Sequence, residues 1–292
     1  MTQPAPRAQR PRRSAIAAAL CCAALALAGC STAGPVTPLG QARNANQSRH
    51  ISERFEQRPV VIDDPAGIET ARLLFDASET LVVTDATPEA QLRGASIAVV
   101  AHAPMLIYDP ARHDDIVSEI KRMKTYTVLT VGDVSLARST GAVRIFRDPG
   151  GFDALAEMTT FHFGQREVAH PAQAAEAVAQ LRAADPTWLR ASWAEPKVLP
   201  GAQARPFPVH SRRDADMAPV VVATAESPIP AVANLRSFGA AVTVVPDPDP
   251  RAAEETLMAV AGLAQAPLIA LGPQFGSAEE LEARIMQAEE RY

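Results

Sequence analysis

Cys30 carries the most definite chemistry in the chain: a thiol preceded by Leu27, Ala28 and Gly29 and followed by Ser31, Thr32, Ala33 and Gly34. Small neighbours leave the peptide bond before it open to a peptidase, and a thiolate is the nucleophile that can accept a lipid through a thioether. The other candidates stand at the ends of short apolar runs. Asp85 follows Leu81-Val82-Val83-Thr84, Tyr108 and Asp109 follow Met105-Leu106-Ile107, and Asp133 follows Val128-Leu129-Thr130-Val131-Gly132. Later, Thr224 and Glu226 follow Val220-Val221-Val222, Asp247 follows Val242-Thr243-Val244-Val245-Pro246, and Gln274 lies just beyond Leu268–Gly272. Such groups could hold sugar hydroxyls or a divalent cation, or act as acid and base. An Asp at a strand end equally serves to cap the turn or helix that follows.

Patterns that would require catalysis are missing. His50, His102, His113, His162, His170 and His210 form no His-x-x-x-His or His-Glu-x-x-His, and no cysteine pair accompanies them. No metal site and no cofactor is therefore expected. There is no Gly-x-Ser-x-Gly elbow and no phosphate-binding loop. Gly150-Gly151 could offer amides to an anion but reads more simply as a tight turn, and His162 between two phenylalanines reads as a packing residue. Expected catalytic residues: none.

The surroundings of Cys30 give its chemistry a setting. Arg7, Arg10, Arg12 and Arg13 form a positive stretch, and Ala15–Ala28 form an apolar run of about 14 residues, too short to span a bilayer. Leu27-Ala28-Gly29-Cys30 resembles the lipobox of bacterial lipoproteins. The resemblance implies removal of residues 1–29 and fatty acylation (palmitate and its kin) of Cys30 on the extracytoplasmic face of the cell membrane. One acyl chain binds only marginally, and the two or three such proteins carry make the attachment durable. Arg12-Arg13 leaves both the general secretory and the twin-arginine routes open. Residues 30–55, small and polar with Pro35 and Pro38, read as a flexible tether.

Composition narrows the function classes. Loss of the four signal arginines takes the formal charge from -5 to -9, which argues against nucleic acid as a partner. Only Cys30 remains after cleavage, so no internal disulfide is expected. Aromatics make up 5%, few for a carbohydrate module built on stacking platforms.

The candidate residues need a scaffold, and the chain suggests one. Valine-rich runs alternate with helical stretches such as His113–Met123, whose Ile116, Val117, Ile120 and Met123 share one face. Strands about 20 residues apart with a helix between them imply βαβ crossovers and a parallel sheet. The pattern repeats: the runs at 81, 105 and 128 return 139, 137 and 140 residues later, and Asp64-Pro65-Ala66-Gly67 is echoed by Asp148-Pro149-Gly150-Gly151 after 84 residues. The expected fold is α/β: two tandem parallel-sheet lobes, doubly wound and flavodoxin-like, over 56–142 and 143–292. The second carries an insertion at about 162–217, helical over Pro171–Leu181 and irregular over Trp193–Arg213. Ser277 with Glu280 predicts a capping box for the last helix. Ligands of such sheets bind beyond the carboxyl ends of the strands, where Asp85, Tyr108, Asp109, Asp133, Glu226 and Asp247 would sit.

Three segments resemble the cell wall-binding repeat 2 family of Gram-positive surface proteins. They are Ile62-Asp63-Asp64-Pro65-Ala66-Gly67-Ile68-Glu69-Thr70-Ala71, the small-residue helix from Gln91 leading through Ala103-Pro104 into Met105-Leu106-Ile107, and Val131-Gly132-Asp133-Val134-Ser135. The Arg-Tyr usual in the opening is missing here, as is the usual Gly-Gly after the third strand. The resemblance implies a non-enzymatic, parallel-sheet module that binds a cell-wall polymer, commonly through three repeats. On a lipid-anchored chain it implies a bridge between membrane and wall. Two other classes stay open from sequence: a solute-binding lipoprotein with a deep pocket, and an envelope hydrolase with paired acids.

Overall fold

The structure is a computed structural model that describes residues 37–136, 143–211 and 217–292. The chain enters with α1 (Pro38–Gln47), then β1 (Pro59–Ile62), α2 (Ile68–Leu74), β2 (Thr80–Thr84), α3 (Pro88–Ala101), β3 (Met105–Ile107), α4 (His113–Arg122) and β4 (Thr127–Val131). A middle stretch follows: β5 (Arg144–Arg147), α5 (Asp153–Thr159), β6 (Gly164–Val168), α6 (Ala174–Ala179) and β7 (Thr187–Ala191). The last stretch holds β8 (Val220–Ala223), α7 (Ile229–Phe238), β9 (Val242–Val244), α8 (Glu254–Val260), β10 (Leu268–Leu271) and α9 (Ala278–Arg291).

Every strand pairing within the sheets is parallel, as the βαβ reading expects. One sheet has the order β3-β2-β4-β5, and the second, written in the same sense, β9-β8-β10-β1. The two lobes therefore share one connectivity, and each takes its fourth strand from the stretch that opens another unit. This accounts for the Asp-Pro echo, because Asp64 and Asp148 each follow such a fourth strand and are buried. It also moves the unit borders read from sequence: β5 completes the first sheet across the expected break at 142/143, and β1 belongs to the second. Edge-strand choice is a tertiary decision that local sequence does not encode.

The insertion at 162–217 contributes a third, two-stranded parallel sheet, β6-β7. Its expected helix is present as a 3-10 turn, Pro171–Gln173, followed by α6. β7 enters beside β6 as β3 enters beside β2: Gly164 N donates to Pro186 O where Val82 N donates to Pro104 O. From Ser192 to Ser211 the chain is irregular, as expected.

Helices α3 and α7 pack on each other, and α6 packs against both. Gly94-Ala95-Ser96 on α3 and Ala231-Val232-Ala233 on α7 are all buried. At Gly94 a Cβ would run into Thr84 Cγ2, so the missing side chain sets how closely α3 lies on β2.

One expectation is corrected in the tether. Pro38–Gln47 is an ordered helix: Thr37 Oγ1 accepts from Gly40 N at 3.1 Å, and Pro38 sits at the first helical position, where its missing N–H costs nothing. Leu39 buries against Leu257, Ala261 and Ala288, Asn46 donates to Met258 O and Ala261 O, and Arg43 pairs with Glu289 at 2.5 Å. Proline read as a breaker is here a helix start. Residues 1–36, with the signal and the Cys30 lipidation site, lie outside the described residues. The capping box at α9 is formed by Ser277 and Glu280.

Candidate functional site

The carboxyl edge of the first sheet is built from the ends of β2, β3, β4 and β5. Asp85 is spent on architecture. Its Oδ1 accepts from Thr87 N (2.8 Å) and Thr87 Oγ1 (2.5 Å), and its Oδ2 from Asp133 N (2.6 Å). Gly132, at φ +84, makes that approach possible, since a Cβ there would collide with Asp85 Oδ2. Asp109 Oδ1 caps Ala111 N at 2.8 Å. Tyr108 is buried, its hydroxyl donates to Ser135 O (3.2 Å), and its ring meets His113 edge-on at 6.1 Å.

Asp133 differs from these. Only its main chain is used in the turn, and its exposed carboxylate pairs with Lys197 Nζ at 2.6 Å. Lys197 belongs to the irregular segment after β7, which runs over this edge as a strap. Trp193 Nε1 donates to Glu89 Oε2 at the start of α3 (3.1 Å), and Pro200 O accepts from Arg147 Nη1 at the end of β5 (2.8 Å). The strap presents Trp193, 36% exposed, and Val198, 50% exposed. Phe152, 42% exposed, stacks at a tilt on Trp188 with centroids 5.9 Å apart.

Beneath the surface Arg93 of α3 anchors the Asp148–Gly151 turn. It donates through Nε and Nη2 to the two oxygens of Asp148 and through Nη1 to Gly151 O (2.9 Å), and it lies over the Trp188 ring at 5.3 Å. Gly150-Gly151 is thus a turn, both residues at positive φ.

The second lobe closes its corresponding edge with neutral groups. Ser227 Oγ donates to Leu271 O (2.6 Å) and accepts from Thr224 N (2.8 Å), while Gln274 Nε2 donates to Thr224 Oγ1 (2.8 Å) and Leu271 O (3.1 Å). Asp247 Oδ1 caps Asp249 N (2.8 Å). Glu226 is exposed and uses its N–H to Thr224 Oγ1 at 3.2 Å. The six expected ligand residues thus divide between two sheets: Asp85, Tyr108, Asp109 and Asp133 on one, Glu226 and Asp247 on the other. Asp85, Asp109 and Asp247 serve as caps, Tyr108 is packed, and Asp133 and Glu226 face solvent.

Among the described residues no group of three or more His, Cys, Asp or Glu could hold a metal ion, and no helix is long and apolar enough to cross a membrane. Trp193 and Lys197 escaped the sequence reading. A lone exposed Trp in a Pro- and Arg-rich stretch is the one signal that could have flagged them.

No protein-family model and no curated protein matches the chain, so the cell wall-binding resemblance rests on the segments that carry it. Among solved structures the chain is similar to Cwp8 from Clostridium difficile, with a TM-score of 0.48 and 14% identity, over 80% of this chain and 52% of that one. It is also similar to Cwp6 from Clostridium difficile, with a TM-score of 0.44 and 14% identity, over 78% of this chain and 47% of that one. The chain spans about half the length of these structures.

Proposed function

We propose that the chain is a non-catalytic, lipid-anchored envelope protein that binds a cell-wall polymer at the carboxyl edge of the first sheet and bridges membrane and wall. The observation that carries this reading is the strap. The strap carries Trp193, bonded to Glu89, and Lys197, paired with Asp133, so one segment supplies an aromatic ring and a charged pair, groups that suit a glycan. The commitment of Asp85, Asp109 and Asp247 to main-chain caps leaves few acids for paired acid–base work. Four cavities of about 180 to 380 Å³ among the described residues are lined by none of the six expected ligand residues. The lipid anchor draws its support from the sequence around Cys30.

Co-sedimentation of the full chain, in mild detergent, with protein-free sacculi tests the binding. We expect saturable binding that disappears when secondary polymers are stripped and weakens in Trp193→Ala. Failure to bind either preparation would overturn the reading. Labelling of growing cells with radioactive palmitate tests the anchor: label is expected on the wild-type chain and absent from Cys30→Ser.

A further inference from the structure

Away from that edge, the turn that follows α6 concentrates positive charge. A cavity of about 380 Å³ is lined by Arg166, Gln180, Leu181, Arg182, Asp185 and Thr187, a size within the range of small-ligand pockets. Arg166 reaches it from β6. Its Nη1 donates to Gln180 Oε1 (2.6 Å) and its Nη2 to Ala177 O (2.5 Å), while its Nε is buried with no hydrogen-bond partner among the described residues. Arg182, which is exposed, lines the same cavity. Among the described residues neither guanidinium has a carboxylate within ion-pair distance.

A third guanidinium reinforces the field. Arg236 of α7 donates through Nε and Nη2 to Leu181 O and through Nη1 to Ala240 O (2.6 Å), so its charge meets carbonyls. Burial holds Arg236 below the ordinary arginine range, and the charge of Arg182 pushes it the same way. Burial also lowers Arg166, against an opposing pull from Glu176. Asp185 is the one acid in the cavity wall. Arg166 and Arg236 are partly desolvated, and Glu176 and Asp185 only partly offset the three guanidiniums, so an anion placed among them relieves the remaining cost. Arginine suits this role because its planar fork matches phosphate and carboxylate oxygens.

We propose that this cavity binds an oxyanion, a phosphate ester or a carboxylate, with Arg166 and Arg182 as its charge partners and Gln180 and Thr187 as neutral hydrogen-bonding neighbours. The site is separate from the strap and stands without the polymer reading. Its failure would leave that reading untouched, because sedimentation with sacculi probes a different surface.

Calorimetric titration of the full chain at low salt, with inorganic phosphate, glucose 1-phosphate and glucuronate in turn, tests it. At least one is expected to bind saturably, and preference for the sugar phosphate or for glucuronate identifies which oxyanion the site takes. Arg182→Gln should weaken that binding about tenfold, the loss of one charge-assisted hydrogen bond. Asp185→Asn should tighten it, with the unfolding midpoint unchanged in both variants and Lys124→Gln without effect. Because Arg182 and Asp185 are exposed, neither test depends on whether an Arg166 variant folds. Absence of saturable binding by all three ligands, or binding indifferent to Arg182→Gln, overturns the proposal.

Discussion

Arg93, on α3, grips both carboxylate oxygens of Asp148, 55 residues further along the chain, and both side chains are almost wholly buried. The pair ties the central helix of the first lobe to the turn that follows its fourth strand. Removing one partner strands the other charge in the interior, so Arg93→Ala is expected to lower stability by about 3–5 kcal/mol. The double variant Arg93→Leu with Asp148→Asn should recover part of that loss. Urea unfolding of the three proteins measures both quantities, and a double variant weaker than Arg93→Ala would contradict the pairing argument.

Asn234, on α7, performs the matching task in the second lobe without charge. Its Oδ1 accepts from Met105 N (2.7 Å), and its Nδ2 donates to Gly67 O (2.9 Å), Thr70 Oγ1 (2.9 Å) and Met105 O (3.1 Å). Thr70 in turn donates to Asp64 through its amide and its hydroxyl. Asn234→Leu leaves the Met105 amide and the Gly67 carbonyl without this partner, at an expected cost of roughly 1–3 kcal/mol for each unsatisfied group. Chemical denaturation reads the total, and a change under about 0.5 kcal/mol, the range of ordinary surface substitutions, would mean the network relaxes around the gap.

These two clamps mark where sequence reading stops. β1, β2, β3, β4, β8, β9 and β10 were legible as strands because short aliphatic runs stand between Pro, Gly and Asp breakers. β6 was not: Gly164-Gln165-Arg166-Glu167-Val168 buries only Val168 fully, so it lacks the apolar run that marks a covered strand. The swap of β1 and β5 was invisible because both are ordinary edge strands whose partners lie about 200 and 15 residues away. At the site, the positions of Asp85, Asp109 and Asp247 were readable, while their roles depended on which amides the turns bring within reach. The contact of Lys197 with Asp133 spans 64 residues of chain and has no local signature.

Gly132→Ala tests the Asp85 turn. The residue sits at φ +84, and an added Cβ would displace the Asp85 carboxylate from the Asp133 amide. Strain at a positive φ and the lost cap together should cost about 1–3 kcal/mol. Thermal unfolding should show the loss, and hydrogen exchange should show faster opening of the Asp133 amide. An unchanged exchange rate at that amide would mean that the cap does not depend on glycine.

The exposed pair Asp133–Lys197 makes the opposite prediction. Both side chains are more than half exposed, 53% and 60%, and such pairs contribute about 0–1 kcal/mol. Lys197→Ala should therefore leave the unfolding midpoint nearly unchanged while altering binding to sacculi. A large stability loss without a binding change would make the strap a structural brace.

Acid should act through Asp249. Its carboxylate accepts from Arg251 Nε and Nη2, and that hydrogen bonding, against a smaller opposing effect of burial, holds its pKa below the ordinary 3.8. A carboxyl lowered in the folded state binds fewer protons than in the unfolded chain, so its contribution is fully present above the unfolded value. It declines as pH falls from about 4 through the lowered folded value. The group is partly solvated, so the effect is modest. Comparing Asp249→Asn with the wild type, the stability gap should be widest near neutral pH and should close as pH falls through the lowered folded value, as seen in urea midpoints across the range. A gap that stays constant with pH would show that Arg251 contributes through packing and not through charge.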